Sequence, residues 1–171
     1  MKKEKICSRK NNGICWQIPG IRYRELLRMT GVSNGVLSYH LNFLDITGKV
    51  RVTRVNNRVT RYFSHDVPID EFNLIGLFRQ PTTRKIIIYI LESGTCGFND
   101  IVMHTKKVPS TISWHLSKLR DANIIKVRKQ NELKYYEIGI NKLKLQELLS
   151  KYTSSFTEKI IDDYVDMINE F

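Results

Sequence analysis

The sequence has little of what cross-linked, metal-held or membrane-bound proteins are built from. It contains three cysteines, Cys7, Cys15 and Cys96, and none stands in a CxxC or CxxxH arrangement. That spacing gives a zinc site no support, and an odd, scattered set suits reduced thiols in a cytosol. Long apolar runs are missing too. The longest, Ile86 to Leu91, is far too short to span a bilayer, so no membrane partner is expected. The start, Met1-Lys2-Lys3-Glu4-Lys5, is basic, but no long apolar stretch follows it, and no signal peptide is read. There is no Gly-rich phosphate loop, no pair of catalytic carboxylates and no nucleophile–base constellation. Neither an enzyme nor a cofactor is expected.

Charge of one sign is in excess. The 171 residues carry 28 Lys+Arg against 17 Asp+Glu, a net charge of +11, which points toward a polyanion such as nucleic acid. An apolar content of 42% is enough for a core and excludes global disorder. The charge is uneven. Residues 1–66 hold 13 basic against 4 acidic groups, residues 67–150 hold 13 against 8, and residues 151–171 hold 2 against 5. The first two stretches are the polyanion-binding candidates, and the acidic tail must do something else.

The chain repeats itself at an offset of 75 residues. Thr30 meets Thr105, Leu37-Ser38-Tyr39-His40-Leu41 meets Ile112-Ser113-Trp114-His115-Leu116, Leu44 meets Leu119, and Val50 and Val52 meet Ile125 and Val127. In the second copy, Phe98 to Thr105 reads as a short helix and Lys106-Lys107-Val108 as a turn. Pro109 suits the first position of the next helix, where its missing N–H costs nothing. Ile112, Leu116 and Leu119 fall on one stripe of it. Ile125 to Arg128 and Lys134 to Ile138 then read as strands around a turn at Gln130-Asn131-Glu132. The first copy follows suit. Tyr23 to Met29 is a helix, Gly31 supplies a positive φ, and Ser33 is placed to cap the next helix, which carries Leu37, Leu41 and Leu44. Val50–Val55 and Arg58–Phe63 pair across a two-residue turn, Asn56-Asn57, giving a hairpin about two residues longer than the second. Two helices joined by a turn and followed by a hairpin make the winged helix-turn-helix plan. The expected fold is mainly α with small β wings: two tandem winged helix-turn-helix domains and a C-terminal amphipathic helix.

The residues PGIRYRELLRMTGVSNGVLSYHLNFL (19–44), with GKV and RYF after them, resemble the first unit of a tandem winged-helix family of archaeal transcription regulators. QPTTRKIIIYIL (80–91), STISWHLSKLRDANII (110–125) and YYEI resemble its second unit, which is similar to the wider ArsR and MarR groups. The tail YTSSFTEKIIDDYVDMINEF (152–171) resembles the family's last helix, so the likeness covers roughly residues 18–171. It implies a transcription regulator acting on double-stranded DNA in the cytoplasm, at the nucleoid. There are departures. Asn11-Asn12-Gly13 is a poor helix interior where the family usually has a helix, so that helix is short or displaced. Val108 stands where a capping Ser is common. The paired cysteines of the arsenic-type metal sensor are absent.

A recognition helix lies in the major groove with its N-terminal half toward the bases. The non-stripe positions are Asn34, Gly35, Ser38, Tyr39 and Asn42 in the first copy, and Ser110, Thr111, Ser113, Trp114 and Lys118 in the second. Lys118 suits a phosphate. No arginine lies on either helix before Arg120, so the commonest guanine contact is missing, and the expectation is either modest sequence reading or a bias to A·T-rich sites. Arg51, Arg54, Arg58 and Arg61 decorate the first hairpin, and Lys126, Arg128, Lys129 and Lys134 the second. Asn56 and Asn57 at the first tip, with Arg54, Arg58 and Lys129, complete the candidate DNA contacts. The first unit, more arginine-rich and with its capping Ser, is expected to grip phosphate harder. A basic hairpin edge also serves to block edge pairing. His40 and His115 are open to a structural bond, to a phosphate contact or to a metal, the last disfavoured because no matching ligands accompany them. Tyr39 and Trp114 either stack on bases or pack against the preceding helix.

The domains read as residues 1–66, a join at 67–71, a second unit at 72–140, and C-terminal helices at 141–171. Phe72 to Phe78 is a short helix. Pro81 starts another that ends at Gly94. Its apolar middle is locally strand-like, but its place before a helix-turn-helix favours a buried helix. Leu143 to Tyr152 is helical, and Ser155-Phe156-Thr157-Glu158 has the form of a capping box that opens a last helix. Phe156, Ile160, Tyr164, Val165 and Ile168 give that helix an apolar face, which pairs two chains into a homodimer or packs on its own chain. Two other readings share the fold: an architectural binder of DNA without sequence preference, and a protein-interaction scaffold.

Overall fold

Residues 14–55 and 59–156 are described by a computed structural model, with the chain ordered as follows. The first copy comprises α1 (Ile14–Gln17), β1 (Ile21–Arg22), α2 (Tyr23–Thr30), α3 (Asn34–Ile46), β2 (Val50–Val55) and β3 (Val59–Ser64). A 3-10 turn (Ile69–Glu71) and α4 (Phe72–Phe78) follow. The second copy comprises α5 (Pro81–Ser93), β4 (Thr95–Gly97), α6 (Phe98–Thr105), α7 (Pro109–Asp121), β5 (Ile125–Gln130), β6 (Leu133–Ile138) and α8 (Lys142–Phe156). The fold is mainly helical with two small antiparallel sheets, one to each winged helix-turn-helix. Two compact units result. One runs to Gly76 and takes in the chain from Tyr152; the other is Leu77–Lys151. Phe72 and Ile75 thus fall with the first unit, beyond the join read at 67–71. Phe72 stacks on Phe63 with ring centroids 3.9 Å apart, which holds it there.

The repeat extends to individual hydrogen bonds. Helices α3 and α7 begin and end at positions 75 residues apart. At the start of α2 the Arg22 N–H donates to Glu25 Oε2 at 2.9 Å, and at the start of α6 the Gly97 N–H donates to Asp100 Oδ2 at 2.9 Å. The Thr30 and Thr105 hydroxyls donate back to the Leu26 and Ile101 carbonyls at 2.8 and 2.7 Å. The turns use the same left-handed backbone. Gly31 (φ 59) matches Lys106 (φ 54), and Gly48 (φ 67) matches Asn123 (φ 57). Only the first copy fills both with glycine.

Three expectations are corrected here. Each sheet has a third strand: the orders are β1-β3-β2 and β4-β6-β5. Strands of two and three residues are too short for alternation to announce them. The first hairpin pairs Val55 with Val59, so its link is residues 56–58 rather than Asn56-Asn57 alone, and it is one residue longer than the second, not two. In the second, Asn131 and Glu132 both take positive φ (48 and 65), the turn whose twist matches the strands. Finally, Ser33 occupies the cap position of α3 without a side-chain cap bond, just as Val108 does on α7. The capping advantage expected of the first copy is therefore not realised.

The stripes close the cores. Leu37 and Leu41 are buried with Ile21, Leu26, Met29, Val50 and Tyr62, and Leu44 packs beside them. In the second unit Ile112, Leu116 and Leu119 are buried, with Ile86, Ile87 and Ile90 of α5. The strand-like run of α5 is helical, started by Pro81 and ended at Gly94 (φ 72). The Asn141 side chain accepts the Leu143 and Lys144 N–H groups and so starts α8. That helix continues through Phe156, so Ser155 and Phe156 belong to it and open no new helix. Its end is tied by Tyr152, whose hydroxyl donates to the buried Glu71 at 2.9 Å. Ile160, Tyr164, Val165 and Ile168 lie outside the described residues, as do Asn56, Asn57, Arg58, Cys7 and the side chain of Phe156.

Candidate nucleic-acid interface

On α7, the residues between the buried stripes look outward. Ser113, Ser117 and Arg120 stand four and three residues apart, which aligns them along one side of a helix. That side meets the hairpin of the same unit. Between them lies a groove of about 490 Å³, lined by those three residues and by Lys129, Lys134 and Tyr136 of the wing. Lys129 and Lys134 are direct cross-strand partners and both are exposed. Like charges placed opposite each other on a sheet are destabilising, and a bound anion relieves them. Arg120 contacts the Ser117 hydroxyl at 3.2 Å and Asp121 at 3.3 Å, an exposed pairing that holds the guanidinium only weakly. Burial raises the Tyr136 phenol above its usual pKa, against the lowering influence of Arg120, so it stays a neutral donor. Ser117 and Tyr136 are not among the contacts expected from sequence. The four-and-three spacing from Ser113 to Arg120 is the signal that points to Ser117.

The other candidates of this unit are spread around α7. Ser110 is exposed and Thr111 half-buried. Trp114 is 58% exposed, its ring edge against His115, rather than packed on the preceding helix. Lys118 reaches away from the groove: its Nζ donates to Gln80 Oε1 at 3.2 Å and sits 5.1 Å from the Trp114 ring centroid. Arg128 is exposed and pairs with Glu137 at 2.8 Å, and Lys126, Lys129 and Lys134 are exposed as well.

The two histidines differ. His115 is buried, with Nδ1 2.8 Å from the Thr83 hydroxyl. Burial first, and then Lys118, hold its pKa below the ordinary value. It is a structural residue that joins α7 to α5. His40 is half-buried beside Tyr39. Among the described residues no group of three or more His, Cys, Asp or Glu is placed to hold a metal. Cys15 and Cys96 are buried and form no disulfide, and burial, reinforced by Asp100, pushes the Cys96 thiol to about 11.

In the first unit Ser38, Asn42 and Arg54 are exposed, and Tyr39 is 67% exposed. Asn34 is engaged: its Oδ1 and its carbonyl lie 2.6 and 2.9 Å from the Tyr23 hydroxyl. The equivalent pair, Phe98 and Pro109, lacks the groups for that bond. Arg61 is not on the outer face of the wing. It is 3% exposed, and its guanidinium donates to the Gly20 carbonyl at 2.7 Å and to the Gly76 carbonyl at 3.1 Å. A Cβ on residue 76 would come within 3.2 Å of that guanidinium, which accounts for a glycine inside α4. Arg51 is half-buried and donates to the Val67 carbonyl at 3.4 Å. The arginine-rich first wing expected from sequence is thus partly an internal clamp.

Comparison with known proteins matches the description "Bacterial regulatory protein, arsR family" over residues 81–127, from the start of α5 into the second wing. An uncharacterized HTH-type transcriptional regulator of Methanocaldococcus jannaschii, MJ1325, is 34% identical over 67 residues, 39% of this chain and 75% of that protein. The chain belongs to the HTH-type transcriptional regulators. This regulator is also 34% identical over 85 residues to MJ1398 of the same organism, 49% of the chain but only 21% of that relative, so it spans about a fifth of the longer protein. Among solved structures it is similar to HlyU from Vibrio cholerae N16961 (18% identity, TM-score 0.43, 47% of this chain and 89% of that one). It is also similar to a possible transcriptional regulator for arsenical resistance (24%, TM-score 0.38, 51% and 91%). Among its described residues no helix is long and apolar enough to cross a membrane.

Proposed function

We propose that the chain regulates transcription without catalysis, by binding duplex DNA through two recognition helices and their basic wings, with the second unit making the stronger grip. The observation that carries this reading is the facing pair Lys129 and Lys134, with Arg120 on the opposite wall of the groove. Three cations converge there beside the outward face of α7. In the major groove α7 would present Ser110, Thr111, Ser113 and Trp114 to base edges and sugars, while the wing lies on phosphates. The first unit would add Ser38, Tyr39 and Asn42 of α3, Asn34 where Tyr23 releases it, and Arg54, Asn56, Asn57 and Arg58 of its wing. Lys118 would reach phosphate on giving up Gln80. Pairing of two chains through Phe156, Ile160, Tyr164, Val165 and Ile168 belongs to the same reading.

Titration of duplex DNA by the full chain at several salt concentrations tests it. Neutralising several phosphates makes affinity fall steeply with salt, by about 0.9 in log–log slope per phosphate. A binding curve indifferent to salt overturns the proposal. A second reading, DNA binding with little sequence preference, is favoured by the lack of arginine on either recognition helix before Arg120. A promoter site that outcompetes random duplex by at least ~10³ rejects that second reading.

A further inference from the structure

The two recognition helices match in length and register, yet one side of α3 differs from α7. Val36, Tyr39, Phe43 and Ile46 are 45%, 67%, 53% and 79% exposed. Offsets of three, seven and ten residues put them on one side of a 3.6-residue helix, beside the arc that carries Ser38 and Asn42. The corresponding positions of α7 are Thr111, Trp114, Lys118 and Asp121. The second copy shows that the fold needs no apolar residue at three of these four places. The stripe on α3 is therefore surplus to folding, and a run of exposed apolar residues marks a contact.

The chain carries one segment of fitting chemistry. Residues 157–171 contain Lys159 against Glu158, Asp162, Asp163, Asp166 and Glu170, whereas residues 1–66 carry 13 basic against 4 acidic groups. Ile160, Tyr164, Ile168 and Phe171 recur at spacings of four, four and three, the pattern of a helical apolar face. Over residues 160–171 such a face is roughly 16 Å long, and the α3 stripe over residues 36–46 is about 15 Å. We infer that residues 157–171 of one chain dock on the Val36–Phe43–Ile46 stripe of a second copy. This rests on the pairing of chains proposed above and names the surface that receives the tail. A reciprocal exchange makes the contact twice and closes on itself. Two such contacts approach the roughly 1,200–2,000 Å² of a stable interface better than one tail on one stripe.

Sedimentation of three full-length proteins tests the inference at tens of micromolar. The first is the wild type, and the second carries Phe43→Lys and Ile46→Asp, which install what α7 already tolerates. The third carries Ile160→Asp and Ile168→Asp. A wild-type dimer with both variants monomeric, and melting of the second variant like that of the wild type, is the expected result. If the α3 variant still dimerises and the tail variant does not, the tail pairs elsewhere: the inference falls and the pairing stands. A tail variant that remains dimeric overturns it as well. A monomeric wild type removes the pairing itself, and the inference with it.

Discussion

Thr83 and His115 meet at 2.8 Å inside the second unit, and that contact has a consequence in pH. The folded protein holds His115 below its ordinary value near 6.5, through burial and then Lys118. As pH falls through that ordinary value, the unfolded chain takes up a proton that the folded one resists. The stability from this site is complete above about 6.5 and declines below it. The melting midpoint should rise between pH 5 and 7, and His115→Gln should flatten the rise. Identical pH profiles for the two proteins would refute the assignment. Thr83→Val, which strands a buried ring nitrogen, should cost about 1–3 kcal/mol in denaturant unfolding. At this scale the sequence was only partly legible. The histidine's place before a stripe leucine suggested a structural role, but its partner lies 32 residues away on another helix. Arg61 was misplaced for a related reason. Nothing local distinguishes an arginine facing solvent from one whose guanidinium meets the carbonyls of Gly20 and Gly76.

Elements were more legible than residues, because periodicity and turn chemistry act locally. The two leucine-type stripes, Pro81 and Pro109 at helix starts, and Gly31 and Gly94 at helix ends all stand where the sequence places them. The short strands β1 and β4 escaped because pairing with β3 and β6, not their own composition, defines them. The boundary expected between Tyr152 and Ser155 does not appear, because the helix runs unbroken from Lys142 through Phe156 and the capping-box pattern at Ser155 lies inside it. The repeat supplies an internal control for the turn between helices. Lys106 adopts the left-handed conformation that Gly31 adopts in the first copy. A side chain is strained in that backbone, so Lys106→Gly should stabilise the chain by up to about 1 kcal/mol, and Gly31→Lys should destabilise it. Chemical denaturation of both variants checks the opposite signs. Destabilisation by Lys106→Gly would mean that the lysine side chain makes an interaction stronger than the strain.

For the whole molecule, duplication of one winged unit set the architecture, and divergence left the two units unlike in exposed charge. The repeat made the paired winged-helix architecture legible from sequence. Which wing exposes more cations was not legible, because counting arginines cannot tell which are buried. With Arg61 turned inward and Arg51 bonded to backbone, the first wing offers Arg54 as its exposed cation among the described residues. The second offers Lys129 and Lys134 face to face, with Arg120 across the groove. The exposed apolar stripe on α3 has no counterpart at three of its four positions on α7. The measurement that tests this account most directly is duplex-DNA affinity against salt for two variants of the full chain. One carries Arg120→Ser, Lys129→Ser and Lys134→Ser; the other carries Arg54→Ser and Arg58→Ser. The groove variant should lose most of the affinity, and its log–log slope should shrink by roughly 2–3, about 0.9 for each phosphate no longer neutralised. The Arg54/Arg58 variant should change far less. An equal or greater loss of affinity from that variant would contradict the assignment of the principal grip to the second unit.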